Sequence, residues 1–232
     1  MTNGWTRGAL RLLLAAALVV AALALPARLA DGPRPLRPAE PELGACLLAG
    51  CPEAVREAQV ARLEDHLFKR MPAAGQELQE LLARTIVEEA EANRVDPLLV
   101  LAMIEVESGY DPRARSTAGA QGLMQLMPGT MKRELEIHGI QPSGPTDPVA
   151  NVRAGVRYLR RCLDAYPKSL ELGLMAYNAG PNRVYSLLQE GDLPDWALAY
   201  PRRVQAELRK LQRTLGADQG PRFAEAPRPS GP

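Results

Sequence analysis

Histidine and cysteine are scarce in this chain, which has two histidines and three cysteines among its 232 residues. Neither His66 nor His138 has the spacing to another His or Cys that a bound metal ion requires. The sequence therefore predicts no metal site, and we expect the protein to work without a cofactor.

Aromatic residues and excess charge are also scarce. Phe, Trp and Tyr make up 4% of the chain, and 28 basic residues against 27 acidic ones leave a net charge of +1. This balance gives no electrostatic indication of nucleic-acid binding. A hydrophobic content of 46% with so few aromatic residues indicates a helical core built from Leu, Ala and Val.

The first residues have the pattern of a targeting segment. Arg7 and Arg11 precede an apolar run over residues 12–25, which suits a signal peptide and is short for a membrane span of about 20 residues. Residues 1–30 are therefore expected to direct export to the periplasm, either as a cleaved signal peptide or as an uncleaved anchor in the inner membrane. The lipobox-like Leu43–Cys46 lies well past the apolar run, which argues against lipidation.

A proline-rich linker and a pair of cysteines follow. Residues 31–45 contain four prolines, which favour an extended, semi-rigid spacer. In an oxidising compartment Cys46 and Cys51 can close a small disulfide loop. Cys162 lies within a helical pattern, so we expect it to be a reduced, buried thiol.

Most of the remaining chain shows helical periodicity. Residues 46–75 are expected to form a small helical N-terminal segment, residues 76–216 the main domain, and residues 217–232, which lack apolar periodicity, a disordered tail. The predicted helices span residues 52–71, 76–93, 97–108, 129–138, 149–166, 170–178, 181–188 and 198–215.

The segment from Asp96 to Gly109 carries the most information about chemistry. Asp96 suits an N-cap, Pro97 suits the first helical position, and the apolar residues that follow leave no polar face, so this helix should be buried on all sides. Glu105 and Glu107 near its end lie roughly 200° apart around the helix axis, so only one can face a given substrate. Apolar surroundings would raise the pKa of either carboxyl toward the range of a general acid, and periodicity alone does not choose between them.

Four motifs follow one another along the chain. They are Glu107–Pro112 (ESGYDP), Gly122–Pro128 (GLMQLMP), Asn151–Val152 with Gly155 and Tyr158–Leu159, and Ala176–Pro181 (AYNAGP). Together they resemble the soluble lytic transglycosylase (SLT) domain, a relative of goose-type lysozyme. The resemblance implies a mainly α fold of the α+β lysozyme-like type, with a helical bundle around a glycan cleft. A small β element would fall within residues 116–125.

The resemblance also implies roles for individual residues. Glu107, at the Glu-Ser junction of the first motif, would be the single catalytic acid and base. The residues that would bind the glycan are Ser116, Gln125, Met127, Tyr177, Asn178 and Tyr200. The match is incomplete at Tyr200, because the acidic and threonine-arginine residues that usually precede this tyrosine in the family are missing.

The activity that the resemblance implies is cleavage of peptidoglycan. The reaction would break the β-1,4 bond between N-acetylmuramic acid and N-acetylglucosamine without water and leave 1,6-anhydromuramoyl ends. Two alternatives stay open: a hydrolytic muramidase on the same fold, and a non-catalytic glycan-binding or envelope-assembly scaffold. Small transglycosylases of this kind often accompany envelope-spanning secretion or pilus machinery, so the sequence is compatible with such a partner.

Overall fold

Eight α-helices and one short 3-10 turn account for most of residues 53–144, 146–191 and 193–216, the parts of the chain that the computed structural model describes. The signal segment, the proline-rich linker, the Cys46–Cys51 pair and the C-terminal tail lie outside these residues. The helices are α1 (Glu53–Arg70), α2 (Gln76–Ala92), α3 (Pro97–Ser108), α4 (Pro128–His138), α5 (Pro148–Ala165), α6 (Leu170–Ala179), α7 (Pro181–Glu190) and α8 (Asp195–Leu215), and the 3-10 turn is Pro72–Ala74.

Local capping residues set the ends of the helices that matter for the site. The Asp96 side chain accepts a hydrogen bond from the Leu98 backbone N–H at 2.8 Å, and Gly109 ends α3 with a left-handed φ of 57°. Asp147 caps α5 in the same way, accepting from two backbone N–H groups. The predicted boundaries of these two helices are therefore confirmed to within one residue.

Helix α3 lies at the centre of the hydrophobic core. Its consecutive apolar residues from Leu99 to Ile104 are each at most 5% exposed, which confirms that this helix is buried on all sides. Helices α2 and α8 pack against it, α5 packs against α2, α4 and α6, and α6 also contacts α7 and α8. The last turn of α3 therefore emerges from the core in a fixed position.

Helix α1 shares this core. Its apolar face, formed by Val60, Leu63 and Leu67, is buried, and the helix packs along α2. Its His66 ring nitrogen lies 2.8 Å from the hydroxyl of Tyr110, just beyond α3. The domain boundary predicted between residues 75 and 76 stays a prediction, but α1 packs on the helices that follow that boundary.

The expected β element is minimal. Within the described residues it consists of two isolated antiparallel bridges, between Arg115 and Gln121 and between Gln121 and Leu126. The two bridges share Gln121 and connect three positions of the loop between α3 and α4. The mainly α prediction is thus confirmed, and Cys162 is a buried free thiol, as expected.

None of the helices between residues 53 and 216 is both long enough and apolar enough to cross a membrane.

Candidate active site

Glu107 is hydrogen-bonded to Tyr200, which lies 93 positions later in the chain. Glu107 lies in the last turn of α3, where the buried helix reaches the surface. Tyr200, on α8, is itself 3% exposed and donates its hydroxyl to Glu107 Oε1 at 2.7 Å. One carboxylate oxygen is therefore fixed by a buried donor, which leaves Oε2 to carry a proton.

Burial changes the acidity of Glu107. Desolvation raises the pKa of its carboxyl from 4.5 to about 7, because a charged carboxylate is disfavoured away from water. The hydrogen bond from Tyr200 and the positive charge of Arg203 both lower this pKa and so limit the rise. A carboxyl that titrates near neutral pH can both donate and accept a proton under physiological conditions.

Glu105 is engaged elsewhere. Its carboxylate forms an ion pair with Arg70 of α1, and the Arg70 guanidinium carbon lies 5.2 Å from the centroid of the Tyr110 ring. Arg70 is the last residue of α1, so the Glu105 side chain is directed to the end of that helix. The geometry therefore brings Glu107, and not Glu105, to a position where it can meet a ligand.

A cleft of about 540 Å³ opens beside Glu107. The loop between α3 and α4, the start of α4, the junction of α6 and α7, and α8 all contribute to its walls. Six of the seven predicted site residues line it, namely Glu107, Ser116, Gln125, Met127, Tyr177 and Asn178. Tyr200, the seventh, contacts Glu107 directly. The structure thus brings all seven together, although their individual roles stay predictions.

The loop that forms one wall of the cleft is held on α5. Asn151 accepts a hydrogen bond from the Met124 backbone N–H at 2.8 Å and donates to the Gln121 carbonyl at 3.0 Å. Gly155, one turn later, leaves room for Met124, since a Cβ at position 155 would lie 2.3 Å from its sulfur. Asn151 and Gly155 of the third motif therefore position the GLMQLMP loop, which is the second motif.

Ser108 and Tyr177 complete this support. The Ser108 hydroxyl lies within 3.0 Å of the carbonyls of Ile104 and Leu123, so it joins the end of α3 to the loop. The Tyr177 hydroxyl donates to the Met124 carbonyl at 2.8 Å. Tyr177 was predicted to contact substrate, and the structure shows that its hydroxyl is used to hold the cleft wall.

The remaining predicted residues differ in what they can offer a ligand. Gln125 has a left-handed φ of 46°, and its amide nitrogen donates to the carbonyls of Ala114 and Gly122, so it braces its own loop. Ser116 is exposed, and its hydroxyl accepts from the Ala120 N–H at 3.0 Å. Met127, at 46% exposed, and Asn178 line the cleft with exposed side chains that a ligand can reach.

Three polar residues that line the cleft were not assigned a role from the sequence. Tyr158 belongs to a quoted motif, and its ring centroid lies 5.1 Å from that of Tyr177. Thr130 lies two residues after the GLMQLMP motif. Arg203 lies one helical turn after Tyr200, so this i, i+3 spacing could have indicated it from the sequence.

A second cavity lies beside the cleft, between α4 and the start of α5, with a volume of about 400 Å³. It shares Leu126 with the cleft, but its carboxylates are already engaged. Asp147 caps α5, and Glu136 lies 3.8 Å from Lys132 on the exposed side of α4. The cleft beside Glu107 is therefore the stronger candidate for chemistry.

The contact between Tyr200 and Glu107 gives a direct prediction. Tyr200→Phe is expected to raise the pKa of Glu107 above about 7, because it removes a hydrogen bond that favours the charged form. Carboxyl titration by NMR of protein labelled at glutamate measures this value. Tyr185→Phe, which alters an exposed tyrosine on α7, is the matched control and should leave it unchanged. A lower or equal pKa in Tyr200→Phe would contradict the assigned contact.

Comparisons with known proteins agree with this geometry. The family model of the transglycosylase SLT domain matches residues 84–194. The soluble lytic murein transglycosylase of Escherichia coli (strain K12) is 30% identical over 139 residues, which are 58% of this chain and 20% of that protein. The transglycosylase of Enterobacteria phage PRD1 is 38% identical over 89 residues, which are 38% of this chain and 31% of that protein.

A solved structure is also similar. It is that of an inactive mutant of the lytic transglycosylase Slt from Pseudomonas aeruginosa, with 28% sequence identity, a TM-score of 0.53, and coverage of 71% of this chain and 31% of that one. The chain thus spans about a fifth of the length of the Escherichia coli relative and less than a third of the other two. The matched family region ends at residue 194, before α8, so Tyr200 lies outside it.

Proposed function

We propose that the protein is a peptidoglycan lytic transglycosylase, because residues 84–194 match the family model of the transglycosylase SLT domain. It cleaves the β-1,4 bond between N-acetylmuramic acid and N-acetylglucosamine and leaves a 1,6-anhydromuramoyl end. Glu107 is the catalytic acid and base, and the cleft beside it holds the glycan strand.

The observation that carries this proposal is the isolation of Glu107. It is the only carboxylate among the described residues that line the cleft. Ordinary glycosidases use two carboxyl groups about 5 to 9.5 Å apart, one of which acts as nucleophile or activates water. A single carboxyl has to serve as acid and then as base, and a pKa of about 7 suits both tasks near neutral pH.

The first step is protonation of the leaving group. Glu107 donates its proton to the glycosidic oxygen, the bond from that oxygen to C1 of the muramoyl residue breaks, and N-acetylglucosamine leaves with the proton on its new hydroxyl. The acetamido carbonyl oxygen of the muramoyl sugar supports the positive charge that develops at C1. Tyr200 stabilises the Glu107 carboxylate that this step leaves, through its hydrogen bond to Oε1.

The second step restores the enzyme. The Glu107 carboxylate takes the proton of the muramoyl C6 hydroxyl, and the C6 oxygen bonds to C1 of the same sugar. Glu107 is again protonated, and no water is consumed. Because this nucleophile belongs to the bound sugar, its effective molarity exceeds that of a loosely held water, so ring closure is favoured over hydrolysis.

The similar Pseudomonas aeruginosa protein supports the central role of a glutamate. It is described as inactive with glutamine in place of one glutamate. That observation belongs to the relative, and it supports the same expectation for Glu107.

Mass spectrometry of the soluble products from purified sacculi tests the proposal. Muramoyl ends one water lighter than reducing ends are the expected result. Reducing ends would identify a hydrolytic muramidase instead. If circular dichroism shows that the protein is folded and yet no soluble fragments are released from the sacculi, the binding or scaffold alternative is favoured.

We also propose that the protein is exported to the periplasm, because of the apolar run over residues 12–25 behind Arg7 and Arg11. A reporter that is active only outside the cytoplasm, fused after Pro41, should be active. Mass spectrometry of the mature N-terminus distinguishes a cleaved signal from a retained anchor. An inactive fusion would contradict export. Association with secretion or pilus machinery stays a prediction.

A further inference from the structure

Trp196 is exposed at the start of α8. Its side chain is 53% exposed, although tryptophan is usually one of the most buried residues on average. The Arg183 guanidinium carbon lies 5.9 Å from the centroid of its ring, which is a cation–π contact with the neighbouring helix α7. The indole is thus accessible to solvent and is held on one side by Arg183.

The helical spacing places Trp196 beside the cleft. Trp196, Tyr200 and Arg203 occupy positions i, i+4 and i+7 of α8, within about 60° of one another around its axis. Tyr200 contacts Glu107 and Arg203 lines the cleft, so Trp196 continues the same face about 6 Å along the helix from Tyr200.

Helix α7 gives an independent indication of the same position. Gly180, which precedes its first residue, lines the cleft. Arg183 lies in the first turn of that helix and contacts Trp196. Trp196 therefore contacts a residue that lies three positions after the cleft residue Gly180, which indicates a place near this end of the cleft.

The chemistry of this position suits a sugar ring. One face of a pyranose ring carries C–H groups and can stack on an indole, which buries apolar area on both partners and leaves the sugar hydroxyls in water. An exposed indole with the Arg183 guanidinium against it suits a polar polymer, because the ring offers a stacking face and the guanidinium offers hydrogen-bond donors. The distance from Tyr200 is comparable with the length of one sugar residue.

We propose that Trp196, held by Arg183, is a stacking platform for a sugar of the glycan strand outside the bond that is cleaved. The proposal rests on the proposed function, because it assigns a further binding position to the same substrate. It adds a contact beyond the cleft lined by Glu107, Ser116, Gln125, Met127, Tyr177 and Asn178. It predicts that longer strands bind better than fragments that fill the cleft alone.

Fluorescence of the full-length protein tests the contact directly. The chain has two tryptophans, so Trp5→Phe leaves Trp196 as the only indole, and Glu107→Gln added to it prevents cleavage. Titration with solubilised, uncrosslinked glycan strands should give a saturable change in emission. If the protein sediments with sacculi and yet its emission does not change, the platform is wrong and the proposed function stands. If the protein does not bind sacculi at all, both are contradicted.

Kinetics separate stacking from a structural role. Trp196→Ala is expected to raise KM on long strands about tenfold with little change in kcat, whereas Trp196→Phe keeps most of the affinity. Phe68→Ala, which removes an exposed aromatic ring on α1, is the control and should change neither constant. A fall in kcat with a shifted pH profile would show instead that Trp196 only positions Tyr200, and would overturn the proposal.

Discussion

Glu107→Gln is expected to lower turnover of peptidoglycan by about 10² to 10⁴-fold, the usual contribution of a general acid or base. Glutamine keeps the shape of the side chain but cannot release a proton to the glycosidic oxygen or take one from the C6 hydroxyl. The release of soluble muropeptides from sacculi, followed over time, measures the loss. Because the wild-type acid must be protonated for the first step, its rate should also fall as the pH rises above about 7.

Glu105→Gln is the matched control, since it changes the same atoms in the same turn of α3. It breaks the ion pair with Arg70 and should keep most of the activity. Equal losses in the two variants would contradict the assignment of Glu107 as the sole acid and base.

Measuring stability tests whether unfolding causes the loss of turnover in Glu107→Gln. The pKa of Glu107 is raised by folding from 4.5 to about 7, so its stabilising contribution is complete below pH 4.5 and is lost as the pH rises through 7. Glu107→Gln has no such dependence. It should therefore be at least as stable as the wild type at pH 8, as judged by urea unfolding.

Gly155→Ala is expected to destabilise the fold by about 1 to 3 kcal/mol, the usual cost of overpacking a core. The new Cβ would lie 2.3 Å from the Met124 sulfur and 2.8 Å from its Cβ. Met124 cannot retreat easily, because Asn151 holds its N–H and Tyr177 holds its carbonyl. The cleft wall should shift with it, so KM for glycan strands should rise together with the loss of stability measured by urea unfolding.

Gly129→Ala provides the comparison. Gly129 is in the first turn of α4, next to the cleft residues Met127 and Thr130, and a Cβ there would have nothing within 4 Å. Alanine at a helical position should be neutral or stabilising by about 0.5 to 1 kcal/mol. If Gly155→Ala proved as well tolerated as Gly129→Ala, the proposed clamp on the loop would be wrong.

The helices could be predicted from the sequence because their ends depend on neighbouring residues. Asp-Pro pairs at Asp96 and Asp147 start two helices, and Gly109 ends one. Helix α8 was located less well, since it begins at Asp195 rather than at the predicted Leu198. The extra turn has no strong local signal, and α8 forms through packing against α3 and α6.

The site was less accessible to sequence reasoning, because it depends on contacts between distant segments. The motifs indicated Glu107 by resemblance, whereas the pairing of Glu105 with Arg70 depends on where α1 ends and the raised pKa of Glu107 depends on its burial. The residues that usually precede this tyrosine in the family are missing from the sequence, yet Tyr200 donates a hydrogen bond to Glu107. Burial and electrostatics at a carboxyl are properties of the assembled fold, so no spacing rule could supply them.

The hydrogen bond from Tyr200 to Glu107 joins residues 93 positions apart in the chain. Contacts of such high sequence separation form late in folding, because the entropy of closing the intervening chain is lost before they reward it. In the unfolded chain Glu107 is solvated and titrates as an ordinary glutamate, which is deprotonated at neutral pH. An unfolded chain therefore lacks the protonated acid. Under the proposed function, the acid that would cleave peptidoglycan is thus a property of the folded protein, which limits cleavage to chains that have completed folding.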